Sequence, residues 1–134
     1  MEDKSLFERY CVELADDTKV DDFNVKVTQS ELPGRKHKWV ARLIQQKIEY
    51  NKLKEVRRDA IKSIVENLRV EQVIRVSDKT LYLQAEDHEL IKKIDREIMN
   101  CNILIEFLEK EEKVLASMSF DIKNLIELRR QEMN

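Results

Sequence analysis

Residues 91–129, IKKIDREIMNCNILIEFLEKEEKVLASMSFDIKNLIELR, decide the fold. Counted in alternating steps of three and four from Ile91, the chain presents Ile94, Ile98, Cys101, Ile105, Leu108, Glu112, Leu115, Ser119, Ile122, Ile126 and Arg129, and nine of these twelve positions are apolar. Such steps bring side chains to one face of an α-helix, and a run this long makes the seam of a coiled coil. A second line, Phe107, Glu111, Val114, Met118, Asp121, Leu125 and Leu128, runs beside the first. One seam suits a pair of helices. A doubled apolar face must bury itself against more than one neighbour, inside the same chain or in a higher-order bundle. A helix over residues 86–132 would be on the order of 65–70 Å long, too long for a compact globule of this size, with a radius of gyration of about 14 Å. It either folds back on the chain or assembles with copies of itself. Assembly is the expected outcome, with Ile91, Ile94, Ile98, Ile105, Leu108, Leu115, Met118, Ile122, Leu125 and Ile126 at the oligomerisation seam.

The rest of the composition agrees. Charged residues make up 39% of the 134 residues, and there is one glycine and one proline, where an ordinary globular chain is about 25% charged. Short strands and tight turns need residues that tolerate positive φ, and Gly34 is the only glycine. The expected class is therefore all-α, one helical domain over residues 1–134: a short N-terminal helix, a long basic central helix and a long coiled-coil-like C-terminal helix. Leu6, Phe7, Tyr10, Cys11 and Leu14 give the first helix over 4–15, broken by Asp16, Asp17 and Thr18. Residues 23–32 read equally as helix or strand, and Pro33-Gly34 ends them with a turn. The central helix runs over 35–68 without interruption, its apolar stripe falling at Val40, Ile44 and Ile48 and then, after a slip near Asn51, at Leu53, Val56, Ala60, Ile64 and Leu68. Residues 69–85, rich in β-branched side chains with a Ser-Asp-Lys turn signal, read as a connector with short extended pieces.

One glycine cannot build a Walker or dinucleotide-type phosphate loop. Cys11 and Cys101, like His37 and His88, are isolated, so no metal-ligand spacing exists and no cofactor is expected. The cysteines read as reduced, buried small hydrophobes. Neither a signal peptide nor an apolar run of about 18 residues is present, which points to a soluble, cytoplasmic chain with no membrane partner. The pairs Asp16-Asp17, Asp21-Asp22 and Glu111-Glu112 lack a pocket or partner base and read as solvated surface, not catalytic carboxylates. No enzyme activity is expected.

The net charge of −2 hides a segregation. Residues 1–34 carry four basic and nine acidic residues, residues 35–62 ten and three, and residues 63–134 eleven and fifteen. Concentrated positive charge in an acidic chain points to a local polyanion site. Arg35, Lys38 and Arg42 share one helical face, as do Lys54, Arg58 and Lys62 further on; Lys36, Lys47 and Arg57 complete the candidate nucleic-acid-binding set. Rows of cations suit phosphates because affinity grows with the counterions released. The alternative is that these are solvated helix charges. His37, Trp39 and Tyr50 are interleaved and could stack bases, although core packing is the expected place of Trp39 and Tyr50. The acidic N-terminal stretch fits contact with a basic protein, or shielding of a neighbouring copy's basic helix.

Two stretches carry a family resemblance. Leu32–Leu43 (LPGRKHKWVARL), continuing through Lys47–Leu53 (KIEYNKL), resembles the central segment of the UvsY family of phage recombination mediators, and Glu112–Leu128 (EKVLASMSFDIKNLIEL) resembles that family's closing segment. The chain length matches too. The resemblance implies a small helical protein without catalytic activity, acting in DNA recombination and repair in the phage-infected bacterial host cell. It implies a ring-like homo-oligomer, a heptamer in the family's reference member. It further implies binding to single-stranded DNA and help to a RecA-like recombinase in displacing single-strand-binding protein. By register from Trp39, the family's DNA-contacting region falls at the far end of the central helix, where Lys62 fits. Ile64, two positions on, is not basic, and Lys54, Arg57 and Arg58 supply charge from the preceding turns. The rival reading is a coiled-coil adaptor that touches only proteins; polyanion binding that weakens steeply with salt separates the two.

Overall fold

The computed structural model describes residues 5–133. Among them lie four helices and no strand: α1 (Leu6–Asp17), α2 (Val25–Glu71), α3 (Asp78–Glu86) and α4 (Glu89–Met133). The all-α class and the two long helices are as expected. Among the described residues no helix is long and apolar enough to cross a membrane.

Two local expectations are overturned. Residues 25–35 are helical, and Pro33-Gly34 lies inside α2 instead of ending a segment. Gly34 does not take a positive φ. The helix starts upstream, where Asp21 and Asn24 lock reciprocally: the Asp21 N–H donates to Asn24 Oδ1 at 2.8 Å, and the Asn24 N–H donates to Asp21 Oδ1 at 2.9 Å. From there Val25, Thr28, Leu32, Trp39 and Leu43 form one buried stripe that runs straight past the proline. Burying that stripe outweighs the one backbone hydrogen bond that the Gln29 carbonyl forgoes. The second correction concerns 69–85. Its Ser-Asp-Lys signal is a helix start: Ser77 caps α3, its Oγ accepting from the Thr80 N–H, with Asp78 in the first turn.

The stripe of α2 departs from the expected one in its first half and at Val56, whereas the expected Leu53, Ala60, Ile64 and Leu68 are half-buried. Val40, Ile44, Ile48 and Val56 are exposed, whereas Trp39, Leu43 and Ile61 are buried. Polar residues with long stems fill the core-facing positions between them, which is why the apolar count misled. The Gln46 carbonyl accepts from the Cys101 thiol at 3.3 Å, and Arg57 Nε donates to Asp95 Oδ1 at 2.6 Å. Burial, with the Glu49 charge adding to it, pushes the Cys101 thiol above its usual range.

The helices form two compact units. Among the described residues, 5–44 and 106–133 pack together in one, and Gln45–Ile105 in the other. The first is built on Tyr10, Leu14, Leu32, Trp39, Leu43, Leu108, Leu115, Met118 and Ile122, with Lys36 Nζ donating to Ser119 Oγ. The second is built on Ile61, Ala85, Ile91 and Ile94, flanked by Ala60, Ile64, Val65 and Ile98. Leu81 and Ala85, four apart, seat α3 in this second unit.

The helical setting of Pro33 and Gly34 predicts a specific stability change. Pro33→Ala restores a donor to the Gln29 carbonyl and should stabilise the protein by about 1–3 kcal/mol. Gly34→Ala should add about 0.5–1 kcal/mol, because a Cβ there meets nothing within 4 Å. Urea midpoints of the two variants measure this. Lower midpoints would instead indicate a turn.

Candidate nucleic-acid interface

The basic helix divides into two functionally different parts. In the first unit Arg35, Lys38 and Arg42 share a face of α2, as their spacing predicts, and that face is covered by α1. Lys38 Nζ donates to Glu13 Oε1 at 3.0 Å and to Asp17 Oδ2 at 2.6 Å. Arg42 donates to Glu13 Oε2 at 2.5 Å. Arg35 donates to the Asp17 backbone carbonyl at 3.0 Å, pairs with the Asp17 carboxylate at 3.8 Å and reaches Glu31 at 2.6 Å. Trp39 lies in the core, as expected, its indole N–H donating to Asp17 Oδ2 at 2.8 Å. Tyr10 packs edge-on against Trp39 with ring centroids 5.2 Å apart, and the Arg42 guanidinium lies over both rings.

Sequence reasoning placed Asp17 on solvated surface, and the structure buries it. The signal was present: Tyr10, Leu14 and Asp17 continue one helical face in steps of four and three. The acidic helix shields a basic face of its own chain.

These ion pairs are partly exposed, so each contributes little, on the order of 0–1 kcal/mol. They nevertheless set protonation. The hydrogen bond from Arg42 holds the Glu13 carboxyl below its ordinary range, against a smaller opposing effect of burial, and Lys38 adds to the lowering. Burial disfavours the Lys38 charge, but hydrogen bonds from Lys38 to Asp17 and then Glu13 outweigh it and raise its pKa.

In the second unit the cations face water. Lys54, Arg58 and Lys62 are exposed and follow one another at four-residue steps, about 6 Å apart along the axis. Lys54 lies over the half-buried Tyr50 ring at 4.6 Å, which leaves its charge unneutralised. Arg58 meets only its neighbour Asp59, at 3.5 Å, with both side chains mostly exposed. Lys62 has no ion pair or hydrogen bond among the described residues. Lys47 is exposed and has a partner of its own. Arg57 is held by Asp95 and serves packing. The nine sequence-predicted residues thus resolve into a neutralised face (Arg35, Lys38, Arg42), two residues tied to α4 (Lys36, Arg57), the partnered Lys47 and an open ridge (Lys54, Arg58, Lys62).

The seam positions of α4 are placed with equal clarity. Ile91, Ile94, Ile105, Leu108, Leu115, Met118 and Ile122 are buried within the single chain, and Ile98, Leu125 and Ile126 are half-buried. Other apolar side chains of α4, Phe120 and Leu128 among them, are exposed.

At the level of sequence, no family model and no curated protein matches the chain. Solved structures do. A crystal structure of the bacteriophage T4 recombination mediator protein UvsY superposes with a TM-score of 0.79 at 18% identity, covering 96% of this chain and 99% of that one. A second crystal form of the same T4 protein gives 0.76 at 17% identity, covering 98% and 100%. The fold is UvsY-like. The likeness extends over nearly the whole chain.

The linked ionisations predict how α1 docking depends on pH. Glu13, lowered when folded, stabilises docking fully above 4.5 and loses that contribution as pH falls through its folded value. Lys38, raised when folded, contributes fully below 10.5 and is lost as pH rises through its folded value. Fluorescence of Trp39, the sole tryptophan, should therefore change at both extremes. Glu13→Gln should flatten the acid limb. An acid limb identical to wild type in that variant would contradict the assignment.

Proposed function

We propose that this chain is a recombination mediator with no catalytic activity of its own. It binds single-stranded DNA through the phosphates and, as a ring-like homo-oligomer, promotes loading of a RecA-like recombinase onto DNA coated by single-strand-binding protein. Its setting is phage DNA recombination and repair in the cytoplasm of the infected bacterial cell. The observation that carries this reading is the ridge Lys54–Arg58–Lys62: three exposed cations at helical spacing, none neutralised by a carboxylate of another helix, on a chain whose fold is UvsY-like.

Such a ridge neutralises phosphates without reading bases. One ridge reaches only a few phosphates and binds weakly at physiological salt. Joining copies makes each later encounter intramolecular, which raises avidity ~10²–10⁴-fold. A strand held along several ridges in the form the recombinase prefers shifts the loading equilibrium by the differential affinity for that form. ATP turnover belongs to the recombinase.

The DNA reading is tested by changing Lys54, Arg58 and Lys62 together to Ala. Affinity for oligo(dT) should fall markedly, and the log–log salt slope should drop by roughly 0.7 for each phosphate the variant no longer neutralises, about 2 in all. Unchanged affinity and slope would favour the protein-only adaptor. Assembly is tested separately. Phe120 and Leu128, two turns apart and 70% and 55% exposed, are apolar side chains that water disfavours. Light scattering should give a multiple of 16.1 kDa, and Phe120→Asp with Leu128→Asp should lower that mass without loss of helix content. A wild-type mass of 16.1 kDa at micromolar concentration would reject the oligomer.

A further inference from the structure

The face of α2 beneath α1 has the chemistry of a phosphate site with carboxylates already seated in it. Arg35, Lys38 and Arg42 follow one another at three- and four-residue steps, and each meets an oxygen of Glu13, Asp17 or Glu31. Beside them the Trp39 indole N–H donates to Asp17. Carboxylates and phosphates present the same feature to such donors: paired anionic oxygens accepting charge-assisted hydrogen bonds. We infer that α1 is a built-in polyanion mimic covering a second phosphate-binding face, and that single-stranded nucleic acid competes with it for Arg35, Lys38 and Arg42. This deepens the single-stranded-DNA reading and rests on it.

The way α1 is held makes it displaceable. It has 12 residues, a length at which an isolated helix is marginal in water. Its buried apolar side chains are Tyr10 and Leu14; Val12 is 59% exposed, and Phe7, which meets Phe107 edge-on, is 43% exposed. The side chains of Glu13 and Lys38 are each about a third exposed, at 39% and 34%, so salt and competing anions reach the pair. Elements that bury little apolar surface open first. While α1 is docked, the three cations have no counterions to release and add nothing to the salt dependence of binding. Once a strand replaces α1, each cation pairs with a phosphate, and the side of Trp39 that Tyr10 covers opens to a base. The ridge at Lys54, Arg58 and Lys62 engages first in this scheme, and the masked face adds to it only when enough phosphates are present to replace both carboxylates.

The test uses the full chain and Glu13→Gln, which removes one carboxylate from Lys38 and Arg42 and leaves the Asp17–Trp39 hydrogen bond intact. Oligo(dT) affinity of the variant should rise several-fold at low salt, with a salt slope steeper by roughly 0.7 for each additional phosphate neutralised. Hydrogen exchange on the wild type should show α1 amides losing protection as oligo(dT) saturates the protein. Either change supports the mask. If affinity and slope match wild type and α1 protection is unmoved by DNA, α1 is a structural strut and the inference falls. If neither protein binds oligo(dT), it is the DNA reading that fails. The same titration with inorganic polyphosphate then decides the mask, upheld by tighter binding to the variant and overturned by equal binding.

Discussion

The unit containing α1 depends on one carboxylate. Asp17 is buried at the end of α1, and its Oδ2 accepts from both the Trp39 indole N–H and Lys38 Nζ. Its backbone carbonyl accepts from Arg35. A buried carboxylate is tolerable only when it is paired and hydrogen-bonded, and a buried indole N–H requires an acceptor. Each demand meets the other here. With Trp39 fixed, Tyr10 has a ring to pack against and Arg42 has two rings to lie over. Arg42 in turn fixes Glu13. The contact of α1 with Trp39 and the neutralisation of one basic face meet at the same hydrogen-bonded group.

That group explains why the sequence was legible in parts. The heptad count on α4 found the buried positions because Ile, Leu and Met fill them almost without interruption, and burial there follows apolarity. On the first half of α2 the same method chose the wrong flank, while Leu53, Ala60, Ile64 and Leu68 further on are half-buried as expected. Val40, Ile44 and Ile48 look like a stripe, yet the buried flank runs through Trp39, Leu43 and Ile61, with Gln46 and Arg57 core-facing between them. Apolar counting cannot credit a polar residue that is buried because its hydrogen bonds are met. Pro33-Gly34 failed for a related reason. Local punctuation argues for a turn, but a helix already started at Asp21–Asn24 loses less by carrying a proline than by breaking a stripe that continues to Leu43. The Ser77 cap was visible as Ser-Asp-Lys; its reading as a turn came from the β-branched residues before it, which lie in the loop, with Val73 fully exposed.

Charge was legible as a sum and not as a distribution. The excess over residues 35–62 is real, but a helix shows its charges to whatever packs on it. The acidic excess over 1–34 and the basic excess that follows are two sides of one interface, at least for Glu13, Asp17, Arg35, Lys38 and Arg42. Net charge by segment therefore overstates the polyanion site by the residues that α1 neutralises. What remains is smaller and better defined. Lys54, Arg58 and Lys62 lie on the solvent-facing flank of α2, whereas Arg57, one position from Arg58, turns inward to Asp95.

The likeness to T4 UvsY and the ridge support different links of the argument. At 17–18% identity a shared fold says how the helices are arranged, and function on a shared fold is decided by the side chains the fold displays. On α2 Lys54, Arg58 and Lys62 share one solvent-facing flank, with Glu66 at the next four-residue step and Glu55 and Asp59 three residues before Arg58 and Lys62. Like charges at four-residue spacing destabilise a helix by a few tenths of a kcal/mol per pair. A polyanion bound along the ridge would turn that repulsion into attraction.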